Sequence, residues 1–315
     1  MSVSRAAATA SYMFLGLVWG TSFLFMSWST DLISPAQTTL LRVMFGLVPV
    51  ALFATFTRAW AWWHLRHAHH LVVMSLLATS VYYLAFAAGT ARLDSGVAGA
   101  LSGSIPLFAL IAALVLVPGE GLTARKGVGL ALGTGGVALL ARPWAAGAVD
   151  AQGVVLMLAG AASLGASFAY ARRFVIPLGI PSAAATGYQL ALAALGLVLI
   201  TDMEGIGHIT QDTTALVGVV VGLGGLGTGA AFILYYVAVA GLGAVTASTA
   251  TFLPPAVAMA LGALIMGETV RADGIVALAL ILLAALVTRP GPRTHPSGTR
   301  GIDSSNAKES PRVRT

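Results

Sequence analysis

Long runs without charge are the feature that most restricts how this chain can fold. Residues 213–267 contain no Asp, Glu, Lys or Arg. A helix that crosses a bilayer needs about 20 apolar residues, so this run is long enough for two helices, with the tight GLG at 241–243 as the turn. Only 9% of the chain is charged and its mean hydropathy is +0.89, whereas soluble domains carry about 25% charge. We therefore predict an all-α membrane protein.

Charged residues divide the chain into ten apolar segments, which we interpret as ten transmembrane helices. The predicted spans are 6–30, 32–57, 71–91, 95–119, 127–141, 151–171, 174–201, two within 213–267, and 274–288. The first run extends from Ala6 to Thr30, which is long enough to span, so it is interpreted as an uncleaved helix rather than a signal peptide. Residues 290–315 are polar and rich in proline, which predicts a disordered cytoplasmic tail.

The basic residues predict the orientation. Ten spans place both termini on one side, and positively charged loops remain in the cytoplasm. With both termini inside, the inner segments before the tail hold Arg5, Arg58, Arg66, Arg125, Lys126, Arg172 and Arg173, and the outer ones hold Arg92, Arg142 and Arg271. This bias predicts a multi-pass protein of the cell (inner or plasma) membrane with cytoplasmic termini.

The two halves of the chain repeat the same features in the same order. Segment 105–120, IPLFALIAALVLVPGE, corresponds to 253–268, LPPAVAMALGALIMGE, and VWGTSFLF at 18–25 corresponds to SLGASFAY at 163–170. We divide the chain into repeats at 1–145 and 146–289, each with five spans. Because five is odd, the second repeat enters the membrane inverted, as in secondary transporters whose site lies at the midplane.

The repeated prolines interrupt the most apolar helices. Pro106 and Pro254 lack a backbone donor and clash with the carbonyls four residues earlier, at Ser102 and Ala250. In lipid, freed carbonyls must face protein or a wet cavity. Packing kinks explain either proline alone, but their symmetry beside small and hydroxyl residues favours a cavity between the repeats.

These motifs together resemble the EamA-type branch of the drug/metabolite transporter superfamily. The resemblance covers nearly all of 8–290 and rests on VWGTSF, the Pro35-x6-Arg42 spacing, IPLF…GE, and GAVTASTATFLPPAVAMALGALIMGE. It implies two inverted five-helix repeats and export of small metabolites such as amino acids. It also implies a central cavity lined mainly by helices 1, 3, 4, 6, 8 and 9, and no enzymatic activity.

Arg42 is the one formal charge that lies well inside a confidently predicted span. Such a charge costs about 2.5–3.5 kcal/mol to insert and marks function by default. It either binds a substrate carboxylate through its fork of N–H groups or has a structural role, reaching headgroups or backbone carbonyls. Further candidates for substrate binding offer aromatic or hydroxyl surface, although helix packing alone explains each of them. They are Trp19, Ser22, Tyr82, Tyr83, Ser102, Tyr235, Tyr236, Thr249 and Thr251.

Glu120 and Glu268 close the two repeated segments, just before helices 5 and 10, and are candidates for gating together with the two prolines. A carboxylate near a helix N-terminus complements the macrodipole, so a structural role is preferred to gating. Residues 58–70, RAWAWWHLRHAHH, hold three tryptophans and four histidines. An aromatic belt at the inner interface is preferred to a metal site, because no carboxylate or cysteine completes a ligand set.

Other classes of protein fit less well. An intramembrane hydrolase needs paired carboxylates, a histidine–metal motif or an activated serine, and the spans offer none of these. GLGGLG at 222–227 has no strand before it and is not a dinucleotide motif. The dispersed basic residues do not indicate nucleic acid. A small molecule and the lipid bilayer are the expected partners, with no cofactor; multidrug efflux, or less favourably a channel, remains the alternative to metabolite export.

Overall fold

The computed structural model describes residues 4–141, 149–242, 247 and 249–288, which form helices joined by short turns. The tail predicted at 290–315 lies outside the described residues, as does Arg142. In the first half the helices are α1 Arg5–Thr30, α2 Pro35–Phe56, α3 Trp62–Thr90, α4 Ser95–Leu116 and α5 Ala124–Ala141. In the second half they are α6 Ala151–Leu178, α7 Ser182–Ile200, α8 (Thr213–Val217, Gly218–Ala230 and Ala231–Leu242), α9 (Thr249–Phe252 and Leu253–Ile265) and α10 Ala272–Thr288.

Seven of these helices, α1 to α4 and α6 to α8, are long and apolar enough to cross a membrane. Helices α9 and α10 are apolar but shorter, and α5 carries Arg125 and Lys126 in its first turn. Large apolar side chains point outward, with Phe56 and Leu264 each 82% exposed, as suits a surface in contact with lipid. The protein is therefore an all-helical, multi-pass membrane protein.

Local signals in the sequence explain where the helices begin. Ser34 and Gln37 form a capping box at the start of α2, with Pro35 in its first turn. The Gln37 amide also donates to the carbonyls of Asp202 and Glu204 at 2.8 and 2.7 Å, which ties α2 to the connection after α7. The side chain of Asp150 caps α6 and that of Asp212 caps α8.

Three helix boundaries differ from the prediction: the end of α6, the start of α3, and the start of α7, which begins at Ser182 rather than at residue 174. The sequence placed a break at Arg172–Arg173, but α6 continues through both arginines as a wide turn and ends at Leu178, before the left-handed Gly179. Arg172 reaches Glu120 and Arg173 reaches the carbonyl of Leu116, so both side chains find partners while the helix continues. Similarly, α3 begins at Trp62 rather than at residue 71.

The packing of the helices repeats between the two halves. Helix α1 packs against α8 and α9, and its counterpart α6 packs against α3 and α4, while α4 meets α9 and α5 meets α10. Gly20 of VWGTSF and Gly165 of SLGASF make equivalent approaches. A Cβ at Gly20 would lie 3.2 Å from the Pro254 carbonyl, and one at Gly165 would lie 2.6 Å from the Ala109 amide. The glycine shared by these two motifs thus lets α1 and α6 approach the backbones of α9 and α4.

Candidate functional site

Helices α4 and α9 are interrupted at their prolines. Helix α4 consists of Ser95–Ser102 and Ile105–Leu116, and in α9 a short 3-10 segment precedes Leu253–Ile265. Pro106 and Pro254 both lie in the first turn of the second piece, where a missing donor costs nothing. The Ser102 hydroxyl donates to the Gly99 carbonyl of its own helix at 2.5 Å.

Arg42 is buried, with only 4% of its surface exposed. Its Nε donates to the hydroxyl of Thr228 on α8 at 3.2 Å, and its guanidinium lies 3.8 Å from the ring centroid of Tyr83 on α3. Its Nη1 is 3.9 Å from the sulfur of Met26 on α1. Arg42 therefore joins four helices, but in the described part of the chain its contacts use only part of its five N–H donors.

Helix α8 is a π-helix over Gly218–Ala230. Its turns are wider than those of an α-helix, and side chains from this and other helices bind some of its backbone carbonyls. The Trp19 indole donates to the Gly227 carbonyl at 3.2 Å, and the Thr228 hydroxyl donates to that of Leu223 at 3.0 Å. Trp19 and Arg42 thus both support the same unusual segment. Segments of π-helix are frequent at functional sites.

A second wide turn, Leu76–Ser80 in α3, shows the same arrangement. The Ser163 hydroxyl donates to the Leu77 carbonyl and the Gln189 amide donates to Thr79, both at 2.7 Å. The sequence analysis did not select Thr79, Ser163, Gln189 or Thr228. Their signal was present, since each is a polar side chain in an otherwise apolar span.

The remaining aromatic and hydroxyl candidates divide between two places. Tyr82 and Tyr83 have ring centroids 4.7 Å apart beside Arg42, and Tyr235 packs with Trp19 in an apolar cluster. The Ser22 hydroxyl donates to the Val18 carbonyl of its own helix at 3.0 Å. Thr251 lies in the first segment of α9. The side chains of Tyr236 and Thr249 lie outside what the structure describes.

The two glutamates of the repeated Gly-Glu pairs have different partners. Each follows a glycine in the left-handed region, Gly119 at φ 79° and Gly267 at φ 67°, which explains the glycine in both copies. Glu120 accepts from Lys126 at 2.5 Å and Arg172 at 3.1 Å. The hydrogen bond from Lys126 is the largest cause that lowers the pKa of Glu120.

Glu268 instead binds the backbone at the start of α4, in the other repeat. It accepts from the amides of Ser95 at 2.6 Å and Gly96 at 2.8 Å. The sequence analysis associated this carboxylate with helix 10, but the helix that it caps is α4. Beside it lies a cavity of about 310 Å³ between α4, α5, α9 and α10. Glu268 is the one candidate residue that lines this cavity.

The histidine-rich start of α3 exposes some of its aromatic rings and packs others against neighbouring helices. Trp62 is 88% exposed, while Trp60 packs edge-on against Tyr188. His70 shares a 2.7 Å hydrogen bond with Tyr170 of α6. Within the described ranges, no three His, Asp or Glu side chains are grouped as metal ligands.

A helical membrane protein built from two matching halves, each with an interrupted helix packed against the other, has the architecture of a membrane transporter. The model of the EamA-like transporter family matches residues 8–142 and again residues 151–289. The chain therefore belongs to the EamA-like transporter family and has two repeats. Members of this family are membrane transporters and not enzymes.

A solved structure described as "Crystal structure of protein" is similar in fold, with a TM-score of 0.57 and 21% identity, over 90% of this chain and 96% of that one. No curated protein matches the chain.

Proposed function

We propose that this protein is a secondary transporter of the cell membrane that exports small metabolites such as amino acids. In this proposal ten transmembrane helices form two inverted five-helix repeats, and both termini are cytoplasmic. The observation that carries the proposal is the paired interruption of α4 and α9, at equivalent prolines, in two halves that each match the family model.

Alternating access follows from this pairing. Helices α4 and α9 pack against each other and, respectively, against α6 and α1. If the two repeats exchange conformations, the first piece of one broken helix separates from its neighbour while the equivalent contact in the other repeat forms. Pro106 and Pro254 then serve as the points where each broken helix bends.

The proposed substrate carries a carboxylate, which Arg42 binds. Its guanidinium is buried, is stacked on Tyr83 and contacts Thr228. A carboxylate would engage the remaining N–H donors in a bidentate pair. Trp19, Tyr82 and Tyr83 lie around the same helices and would contact the rest of a small metabolite.

The test is transport by the purified protein in proteoliposomes, with a panel of free amino acids, their esters and neutral or cationic drugs. We expect free acids to move and esters to move poorly. Equal transport of acids and esters would show that the substrate needs no carboxylate, although the protein would still be a transporter. Movement of drugs alone would favour multidrug efflux, and transport of nothing in the panel above protein-free liposomes would contradict metabolite export.

A further inference from the structure

The Glu268 carboxylate occupies a slot formed by both repeats. It extends from the turn after α9 to the Ser95 and Gly96 amides of α4. A Cβ at Gly96 would lie 3.0 Å from its Oε2, and a Cβ at Gly262 of α9 would overlap the carboxylate. One glycine from each repeat therefore makes room for this group, which links α4 to α9.

The slot suits both protonation states of a carboxyl group. Its two backbone donors lie at a helix N-terminus, where they favour a negative charge. The Ser95 hydroxyl is also there: the residue is only 1% exposed, and its oxygen has no hydrogen-bond partner in the described part of the chain. That oxygen would lie 3.0 Å from a Cβ on Gly262. A hydroxyl can donate to a carboxylate or accept from a carboxylic acid.

A second carboxyl group lies beside the slot. Asp94 immediately precedes Ser95 and occupies the cap position of α4, but its side chain makes no capping hydrogen bond there. Asp94 and Glu268 line the same cavity. Partial loss of hydration, followed by the Glu268 charge, raises the pKa of Asp94. The Asp94 side chain is still exposed at the cavity mouth, so the contacts of Glu268 carry the argument and this shift only supports it.

The other charged side chains of the cavity are paired among themselves. Arg92 lies 3.8 Å from Asp150, and Arg271 lies 3.1 Å from Asp273. In the described part of the chain, both arginines that line the cavity are thus engaged by other acids, while Asp94 and Glu268 are acids that share the same cavity. Two such carboxyl groups relieve their repulsion by holding one proton between them.

On the basis of the proposed transport function, we propose that Asp94 and Glu268 together bind one proton when α4 and α9 are closed against each other at this end, and release it when the end opens. Asp94 carries the proton while Glu268 keeps its two backbone hydrogen bonds. Opening of this end hydrates Asp94 and moves the Glu268 carboxyl group away, which removes both causes of the raised pKa of Asp94, and the proton leaves to solvent.

The sign of the pH dependence follows from this linkage. Asp94 binds a proton more readily in the closed arrangement, so its protonation favours closure, and closure weakens as the pH rises through the raised pKa. Closure is therefore greatest below the raised pKa of Asp94 and weakens above it.

The chain has no cysteine, so closure can be measured without any substrate. Val97 lines the cavity from α4 and is half-buried. In the full-length protein, Val97→Cys is labelled with an impermeant maleimide between about pH 5 and pH 8, and the rate is divided by that of the exposed Thr210→Cys. Because Asp94 loses its proton as the pH rises through its raised pKa, we expect the ratio to increase severalfold from the acidic end of this range to pH 8.

Three variants separate the proposal from simpler explanations. Asp94→Asn should keep labelling slow up to pH 8, and it involves an exposed side chain without a capping bond. Glu268→Gln should label fast at every pH. Asp31→Asn, which changes an exposed acid at the same end of the protein but outside the cavity, should keep the original profile. A flat profile in the parent protein, or an unchanged profile in Asp94→Asn, would overturn the proton site and leave the transport proposal standing. If the protein transported none of the tested substrates but kept the pH dependence of labelling, the transport proposal would be overturned and the proton site would stand.

Discussion

At the scale of single residues, Arg42 shows how a buried charge is held inside an apolar span. The sequence predicted an isolated arginine; the structure places it against Tyr83, Thr228 and Met26. The ring face of Tyr83 attracts a cation, and the Thr228 hydroxyl, which accepts from Arg42, donates its own hydrogen bond to the Leu223 carbonyl. These contacts hold the guanidinium in place.

Replacing Arg42 tests whether this placement serves substrate binding. Arg42→Lys keeps the charge but loses the planar fork, so we expect a raised KM for acidic substrates, by roughly tenfold for the loss of one charged hydrogen bond of about 1.5 kcal/mol. Arg42→Gln should weaken transport further, although it removes the insertion cost. The measurement is uptake in proteoliposomes with free acids and esters.

The exposed Arg66→Gln is the control for loss of one positive charge and should leave transport unchanged. If Arg42→Gln alters transport of neither acids nor esters, Arg42 has only a structural role.

At the scale of the helices, glycines set how closely the elements approach. Helices α5 and α10 meet through Gly136, where a Cβ would lie 2.9 Å from the Ala277 carbonyl and 2.8 Å from Ile281. The adjacent Gly135 faces open space, since a Cβ there would have no neighbouring atom within 4 Å. Neighbouring glycines in one helix therefore have opposite roles.

This contrast gives a matched pair of variants. Gly136→Ala should destabilise the protein by about 1–3 kcal/mol, because the methyl group meets backbone that cannot move aside. Gly135→Ala should be neutral or stabilising by up to about 1 kcal/mol, since alanine favours the helix. Thermal unfolding in detergent, followed by tryptophan fluorescence, compares the two. Equal losses of stability would mean that α5 and α10 do not pack through Gly136.

The sequence predicted the helices far better than their internal geometry. Apolar runs and charges located most helix ends to within a few residues, apart from the start of α3, the end of α6 and the start of α7, and the repeated prolines marked the interruptions of α4 and α9. The π-helical segment Gly218–Ala230 left no signal of its own. Its register depends on Trp19 and Thr228 binding the freed carbonyls, and on α2, against which it packs. The partners of Arg42 and Glu268 also lie on other helices, so the spacing of residues along the chain could not predict them.

At the scale of the whole molecule, charge is unevenly distributed between the two ends. In the ten-span topology, the described turns at the Glu268 end hold mostly acids: Asp31, Arg92, Asp94, Asp150, Asp202, Glu204, Asp212, Glu268, Arg271 and Asp273. The opposite end holds mostly bases: Arg5, Arg58, Arg66, Glu120, Arg125, Lys126, Arg172 and Arg173. Cytoplasmic loops carry the excess of Lys and Arg, so the end that bears Glu120 faces the cytoplasm in our proposal and the Glu268 cavity opens to the outside.

Labelling of single cysteines in intact cells tests this orientation. Ala91→Cys and Thr210→Cys lie at the acidic end and are exposed, so an impermeant maleimide should modify both. Thr123→Cys and Leu178→Cys lie at the basic end and should react only after the cells are permeabilised, which is also the control that all four thiols are accessible. The opposite pattern would reverse the orientation, and the cavity beside Glu268 would then sample the pH of the cytoplasm. An exporter whose proton site faces outward closes that end in response to external acid, so this one topological result decides which compartment the Asp94–Glu268 pair senses.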